Sequence, residues 1–292
     1  MTDRLRLDRR APWLLAAVTF VTCVAFMPDY PTEWDSIQLT FGVDRFDITH
    51  GSPHPPGYWL YVFLGRVVRW LTPFDAATSL SLLAAAAAAG TVALTYVVGR
   101  RFGGPWLGVA GAACMFASPY LLFYGATVNT YSFDALVVLA LVLVASKARP
   151  GSWHGWGAAG LLGLGGGLRQ TTLLILGPLV LCAVIASVRS VRQAAAVVGA
   201  GAMGLAVWMV PMLIEQPGGW SRYRAFSDEY LEPALLRTSI LYGAPKTGIV
   251  NNLGQATGYT LGTILVLLPV VALGLALFAV ARRRGDQKPD GA

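Results

Sequence analysis

Long apolar runs, nearly free of charge and separated by short basic clusters, constrain this chain more than any other feature of its sequence. Such runs are insoluble as exposed strands or loops. A hydrocarbon layer about 30 Å thick accommodates each as a helix of roughly 20 residues. Only 13% of the 292 residues are charged, about half the share of an average soluble domain, which leaves no segment for a separate soluble unit. The expected fold is all-α, a polytopic helical bundle in lipid forming one transmembrane domain over residues 1–292.

The net charge of +7 does not point to nucleic acid, because the basic residues are dispersed as short clusters between the apolar runs. These are Arg4, Arg6, Arg9 and Arg10, then Arg100 and Arg101, Lys147 and Arg149, Arg189 and Arg192, and finally Arg282, Arg283 and Arg284. An excess of Lys and Arg in cytoplasmic loops is the orientation signal of membrane proteins. Residues 12–27 follow a basic start as a signal peptide would, but Cys23 to Pro28 offers no small-x-small cleavage site, so 12–28 reads as an uncleaved first span.

With the basic clusters inside, the chain reads as about eight spans with both termini cytoplasmic, in the cytoplasmic membrane. An outer loop covers 29–75, six spans fill 76–214, a second outer loop covers 215–257, and the last span is 258–281. Two short crossings between 154 and 188 meet at the outer face around Arg169 and Gln170. Residues 57–71 are too few for an ordinary span and carry Arg66 and Arg69 on one helical face, so they read as a helix lying in the outer interface. The alternative is a true span, which would put Arg100 and Arg101 outside.

Small residues in 84–89 and 163–167 suit close helix approach rather than a phosphate loop. Cys23, Cys114 and Cys182 lie apart within apolar runs and read as small buried hydrophobes.

The outer loop 29–56 concentrates Asp29, Glu33, Asp35, Asp44 and Asp47, with His50 and His54. Acidic residues contribute little to orientation, so topology does not account for them. Asp29, Asp44 and Asp47 fit a solvated loop. Asp35 stands between Trp34 and the alternating Ile37, Leu39, Phe41 and Val43, a setting that would hold a carboxylate at the membrane surface as a general base or a cation ligand. The alternation itself has the period of a strand. His50 and His54 have metal-ligand spacing, yet Gly51, Pro53, Pro55 and Pro56 preclude a regular helix, so the segment reads as a stiff turn presenting His54 rather than a zinc site.

Three more polar patches fall outside: Asn129 to Asp134 at the mouth of a span; Arg169, a border cation that either serves function or snorkels; and Arg222, Arg224, Asp228, Glu229 and Lys246 among Trp220, Tyr223 and Tyr230.

These residues carry a recognisable pattern. Glu33-Trp34-Asp35-Ser36, Arg45-Phe46-Asp47, and His54-Pro55-Pro56-Gly57-Tyr58-Trp59-Leu60-Tyr61 with Gly65-Arg66 resemble the first extracytoplasmic loop of GT-C glycosyltransferases. The branch they are most similar to is that of the protein O-mannosyltransferase relatives. The resemblance continues through Tyr96 to Gly103, Ser118-Pro119, Tyr131 to Leu136 and Gly167-Leu168-Arg169, roughly residues 10–215.

It implies a polyprenyl-phosphate sugar donor and inverting transfer to an acceptor hydroxyl of a lipid, glycan or protein on the non-cytoplasmic face. Asp35 would be the catalytic base or would help to hold a divalent cation, magnesium or manganese. The substrate-binding set is Glu33, His54, Tyr58, Asn129, Tyr131, Asp134, Arg169, Gln170 and Arg222, with Arg169 meeting the donor phosphate. The resemblance also implies interfacial helices in the first outer loop.

Two departures stand out. Many relatives have a glutamate where this chain has Asn129, and relatives continue beyond Ala292, so a protein partner supplying a C-terminal part is a further expectation. The competing expectations are a flippase or transporter of lipid-linked sugars and a non-catalytic assembly protein. Transporters place polar groups at the bilayer midplane, whereas here they gather at the outer ends of the spans.

Overall fold

A computed structural model describes residues 2–238, 243, 245–262, 264, 265 and 268. The described part is helical: α1 (Thr2–Ala25), α2 (Trp34–Asp44), a 3-10 turn (Ile48–His50), α3 (Trp59–Leu71), α4 (Ala76–Phe116), α5 (Pro119–Ala126), α6 (Tyr131–Ala145), α7 (His154–Gly165), α8 (Thr171–Ser187), α9 (Val191–Glu215) and α10 (Gly219–Thr238). Residues 246–262 are helical as well. No strand occurs among the described residues, only one isolated bridge between Asp47 and Ser52. Most of the expected last span, 258–281, lies outside the described residues.

The all-α expectation holds, and the apolar side chains that the bundle turns outward, among them Trp13, Leu174, Ile175, Val191, Val198 and Ile214, suit a hydrocarbon surround. By length and apolarity alone, α4 and α9 are membrane-length, and α5 with α6, bent by 117°, would make a third as one broken span. That is fewer than the eight read from the sequence. The apolar part of α1 (Arg10–Ala25) and α8 (Thr171–Ser187) are short apolar helices, α7 has 12 residues, and α4 runs out and back.

The reversal within α4 sits at Gly103 and Gly104, whose backbones leave the helical region, Gly104 at φ 80°. A Cβ on Gly99 would lie 2.8 Å from the carbonyl oxygen of Leu107, and one on Gly108 would lie 2.7 Å from that of Tyr96. Eight to twelve residues along a straight helix would be about 12–18 Å apart. The two arms therefore pack against each other as a hairpin, with Arg100 and Arg101 beside its bend.

The most extensive helix pairing joins α7 to α9. A Cβ on Gly163 would lie 2.6 Å from the Gly201 carbonyl oxygen, and Trp208 donates its indole N–H to the Gly163 carbonyl at 2.9 Å. Lipid tails remove the hydrophobic incentive for helices to associate, so such backbone approach supplies van der Waals contact in its place.

The bundle has two chemically distinct ends. At one, Arg101 donates to the Ser146 carbonyl at 2.9 Å and the Gly151 N–H to that of Ser187 at 2.8 Å, which brings three basic clusters together. At the other, the α7–α8 turn meets the start of α3, where the Leu60 N–H donates to the Gly167 carbonyl at 3.1 Å.

Of the cysteines, Cys23 is buried as expected, Cys114 is partly buried, and Cys182 is exposed.

Candidate active site

α2 delivers Asp35. The alternation of 37, 39, 41 and 43 does not make a strand, because the buried positions are Ser36, Leu39, Gly42 and Val43, a helical spacing. Two inward positions are small for a reason. The Ser36 hydroxyl donates to the Val128 carbonyl at 2.6 Å, and a Cβ on Gly42 would meet the Pro53 ring at 2.9 Å. That contact fixes α2 against the turn that carries His54. Asp35 itself lies in the first turn of α2 with its carboxylate 54% exposed.

The turn from Ser52 to Tyr58 is stiff, as the prolines imply, with cis bonds at Ser52–Pro53 and Pro55–Pro56. Gly57 takes φ 104°, and a Cβ there would strike Ile48 at 2.7 Å. Tyr58 adopts the left-handed conformation at φ 46°, uncommon for a side-chain-bearing residue and concentrated at functional sites. The Pro56 carbonyl accepts from Gln170 Nε2 at 3.0 Å and from the Tyr223 hydroxyl at 3.5 Å. The turn is thereby held by the α7–α8 connection on one side and by α10 on the other.

This scaffold buries His54 to 7% exposure. Its Nε2 stands 3.8 Å from Asp35 Oδ2, and its Nδ1 has no hydrogen-bond partner among the described residues. Burial pushes the imidazole below its ordinary titration range; Asp35 opposes that shift and Arg169 adds to it. Burial also raises the Tyr58 hydroxyl to about 12 within the fields of Arg169, Asp35, Tyr131 and Asp134.

Arg169 occupies the far wall. Its Nε lies 3.3 Å from Asp134 Oδ2, its guanidinium stacks 4.4 Å from the Tyr131 ring centroid, and Asp134 accepts from the Thr172 hydroxyl at 2.9 Å. A cavity of about 200 Å³ opens here, lined in part by Tyr131, Asp134, Arg169 and Thr172. Asp134 balances the cation while leaving guanidinium donors for an anion.

The structure thus gathers Asp35, His54, Tyr58, Tyr131, Asp134 and Arg169 at one place, with Gln170 one step behind. Asn129 is buried, and its amide is engaged within its own loop: it donates to Thr127 Oγ1 at 2.8 Å and accepts from the Tyr131 N–H at 3.0 Å. Glu33 precedes α2 and lies within electrostatic reach of Tyr124, whose ring is 4.6 Å from that of Tyr131. Arg222 is exposed on α10 beside Gly218.

The sequence reading passed over Glu215, although an acidic residue ending an apolar helix was a visible signal. Glu215 pairs with Arg66 at 2.6 Å and accepts from the Trp59 indole at 2.8 Å, locking α3 to α9. Arg66 also donates to the Val43 and Gly42 carbonyls, both at 2.9 Å, which ties in α2. Nor was Asp47 a solvated loop residue. It is buried at 2% exposure and bonded to His50, Thr49 and Gln216. These bonds outweigh the upward push of burial and hold its carboxyl below the usual range.

Among the described residues no three His, Cys, Asp or Glu side chains converge as a metal cage. Asp35 is nevertheless an open carboxylate, and magnesium commonly takes one or two carboxylates plus substrate phosphate oxygens and water.

No curated protein and no solved structure matches the chain significantly. The model of glycosyltransferase family 87 matches residues 54–292, which takes in His54, Tyr58, Tyr131, Asp134 and Arg169 and begins after Asp35. That match spans well over half of a chain whose described residues are helical and include membrane-length apolar helices, and the chain therefore belongs to glycosyltransferase family 87, a membrane protein among enzymes of sugar transfer.

Proposed function

We propose that the chain moves a sugar from a polyprenyl-phosphate donor to an acceptor hydroxyl on the non-cytoplasmic face of the cytoplasmic membrane, by the inverting chemistry of GT-C enzymes and close to their O-mannosyltransferase-like branch. The observation that carries this reading is the convergence of an open carboxylate, a buried imidazole and a partly balanced guanidinium at the end of the bundle opposite three basic clusters. Basic clusters mark the cytoplasmic side, which supports an outward-facing cluster, and this reading keeps about eight spans with both termini inside.

In this mechanism Asp35 accepts the proton of the acceptor hydroxyl as its oxygen attacks the anomeric carbon. The bond from that carbon to the phosphate oxygen breaks, and the electron pair leaves with the polyprenyl phosphate, whose charge Arg169 meets. Attack opposite the leaving group inverts the anomeric centre. Asp134 and Tyr131 aim the guanidinium, Asn129 holds the Tyr131 turn, and Gln170 supports the turn that presents His54 and Tyr58. Glu33, ahead of α2, and Arg222, exposed on α10, complete the substrate-binding set. Asp35 is the residue that would help to hold a divalent cation, magnesium or manganese, which would supply charge neutralisation for the donor phosphate.

The test is transfer by purified protein in lipid from a panel of polyprenyl-phosphate sugars, with and without magnesium. Asp35→Asn should lower turnover by about 10²–10⁴ with the fold intact, the usual contribution of a general base. Undiminished turnover in that variant would refute the assignment.

A further inference from the structure

We propose that α10 completes the donor site and that Tyr230, with Tyr58 and His54, forms an aromatic wall that binds the transferred sugar ring. This rests on the polyprenyl-phosphate reading above and assigns the part of the site that recognises the sugar.

α10 turns one face inward. Tyr223 and Phe226 are partly buried and Ser227 is buried, while Arg222, Arg224, Asp228 and Glu229 on either side are exposed. Tyr223, Phe226 and Tyr230 lie three and four residues apart and share that face. The Tyr223 hydroxyl reaches the Pro56 carbonyl. The Phe226 and Tyr230 ring centroids are 6.3 Å apart, and Tyr230 stands 6.5 Å from the His54 ring with planes 31° apart. His54 also meets the Tyr58 ring at 5.1 Å. The rings of Tyr58 and Tyr230 therefore both neighbour that of His54, with Asp35 beside His54 and Arg169 acting on Tyr58.

The chemistry of that wall suits a sugar. Aromatic faces carry negative potential and attract the polarised C–H groups of a pyranose face, while hydroxyl groups at the ring edge need polar partners. One such partner is already in place, since Nδ1 of His54 is buried without a hydrogen bond among the described residues, an arrangement that costs stability unless a ligand completes it. A phosphate at Arg169 would leave its sugar over Tyr58 and His54 with the anomeric carbon beside Asp35. The far edge of the sugar would then meet Tyr230, which is 44% exposed and has ring surface to offer.

The experiment compares binding of bare polyprenyl phosphate with that of polyprenyl-phosphate mannose and polyprenyl-phosphate glucose, using native mass spectrometry on the purified full chain in detergent without acceptor. Wild type should prefer at least one sugar-bearing lipid to the bare one. Tyr230→Ala should lose about tenfold of that preference with bare-lipid binding and thermal midpoint unchanged, and Tyr230→Phe should retain it. Unchanged preference in Tyr230→Ala, or equal loss of bare and sugar-bearing lipid, overturns the assignment of Tyr230. A wild-type protein that binds none of the three lipids would instead overturn the polyprenyl-phosphate reading itself, and this proposal with it.

Discussion

Cutting the Glu215 clamp should loosen α3 from α9 and show how firmly the site is braced. Glu215 pairs with Arg66 at 2.6 Å and accepts from the Trp59 indole at 2.8 Å, with the two charged side chains about a quarter to a third exposed. A hydrogen bond to a charged group contributes about 1.5–3 kcal/mol. Partial exposure moves the ion pair toward the 0.2–1 kcal/mol of surface pairs, so about 1–2 kcal/mol is a fair value for the pair. Loss of the indole bond adds about 1 kcal/mol. Glu215→Ala should therefore cost about 2–3 kcal/mol, and Glu215→Gln, which keeps an acceptor for Trp59, about 1–2. Arg66→Met and Glu215→Met, separately and together, isolate the pairwise term, since removing both charges leaves neither uncompensated. Unfolding in mixed micelles, followed by tryptophan fluorescence, should return a coupling of about 1–2 kcal/mol. A coupling below about 0.3 kcal/mol would refute the idea that this pair holds the two helices together.

Arg169→Gln should lower kcat/KM about 10- to 100-fold, the value of one charge-assisted bond to phosphate, in the transfer assay; a smaller loss would remove Arg169 from the phosphate site. Burial holds the His54 imidazole below 6.5, so just under that value the unfolded chain binds a proton that the folded chain excludes. Stability is therefore full above pH 6.5 and falls as pH drops toward the lowered value. Thermal midpoints at pH 7.5 and 5.5 should differ more in the wild type than in His54→Gln. Gly163→Ala places a methyl 2.6 Å from the Gly201 carbonyl oxygen, backbone that cannot swing aside, and should cost about 1–3 kcal/mol, read by the same micelle unfolding.

Composition and charge placement made the helical class legible, because a chain this apolar has few ways to satisfy its backbone. The α7–α8 turn at Arg169 and the stiff turn at His54 were legible for the same reason: a charge interrupting an apolar run and four clustered prolines and glycines each permit few backbones. The strand period in α2 misled because the eye follows large apolar residues. Phe41 is 56% exposed, while Ser36 and Gly42 face inward for a hydrogen bond and a close proline contact, reasons that lie 92 and 11 residues away. Asp47 misled likewise. Its acid looked solvated until Gln216, distant in the chain, arrived to bury it. Long-range partners of short polar side chains leave no local signal.

The Pro56 carbonyl accepts from Gln170 and Tyr223, residues 114 and 167 positions later in the chain. During synthesis the Pro56 turn thus leaves the ribosome well before either donor does. With chain growth at about 5–20 residues per second, that interval is roughly 5–35 s. The candidate site is consequently a late product of biogenesis, its Pro56 turn held on both sides only once α10 has been made, and a nascent chain halted at α9 would carry that turn without the Tyr223 bond.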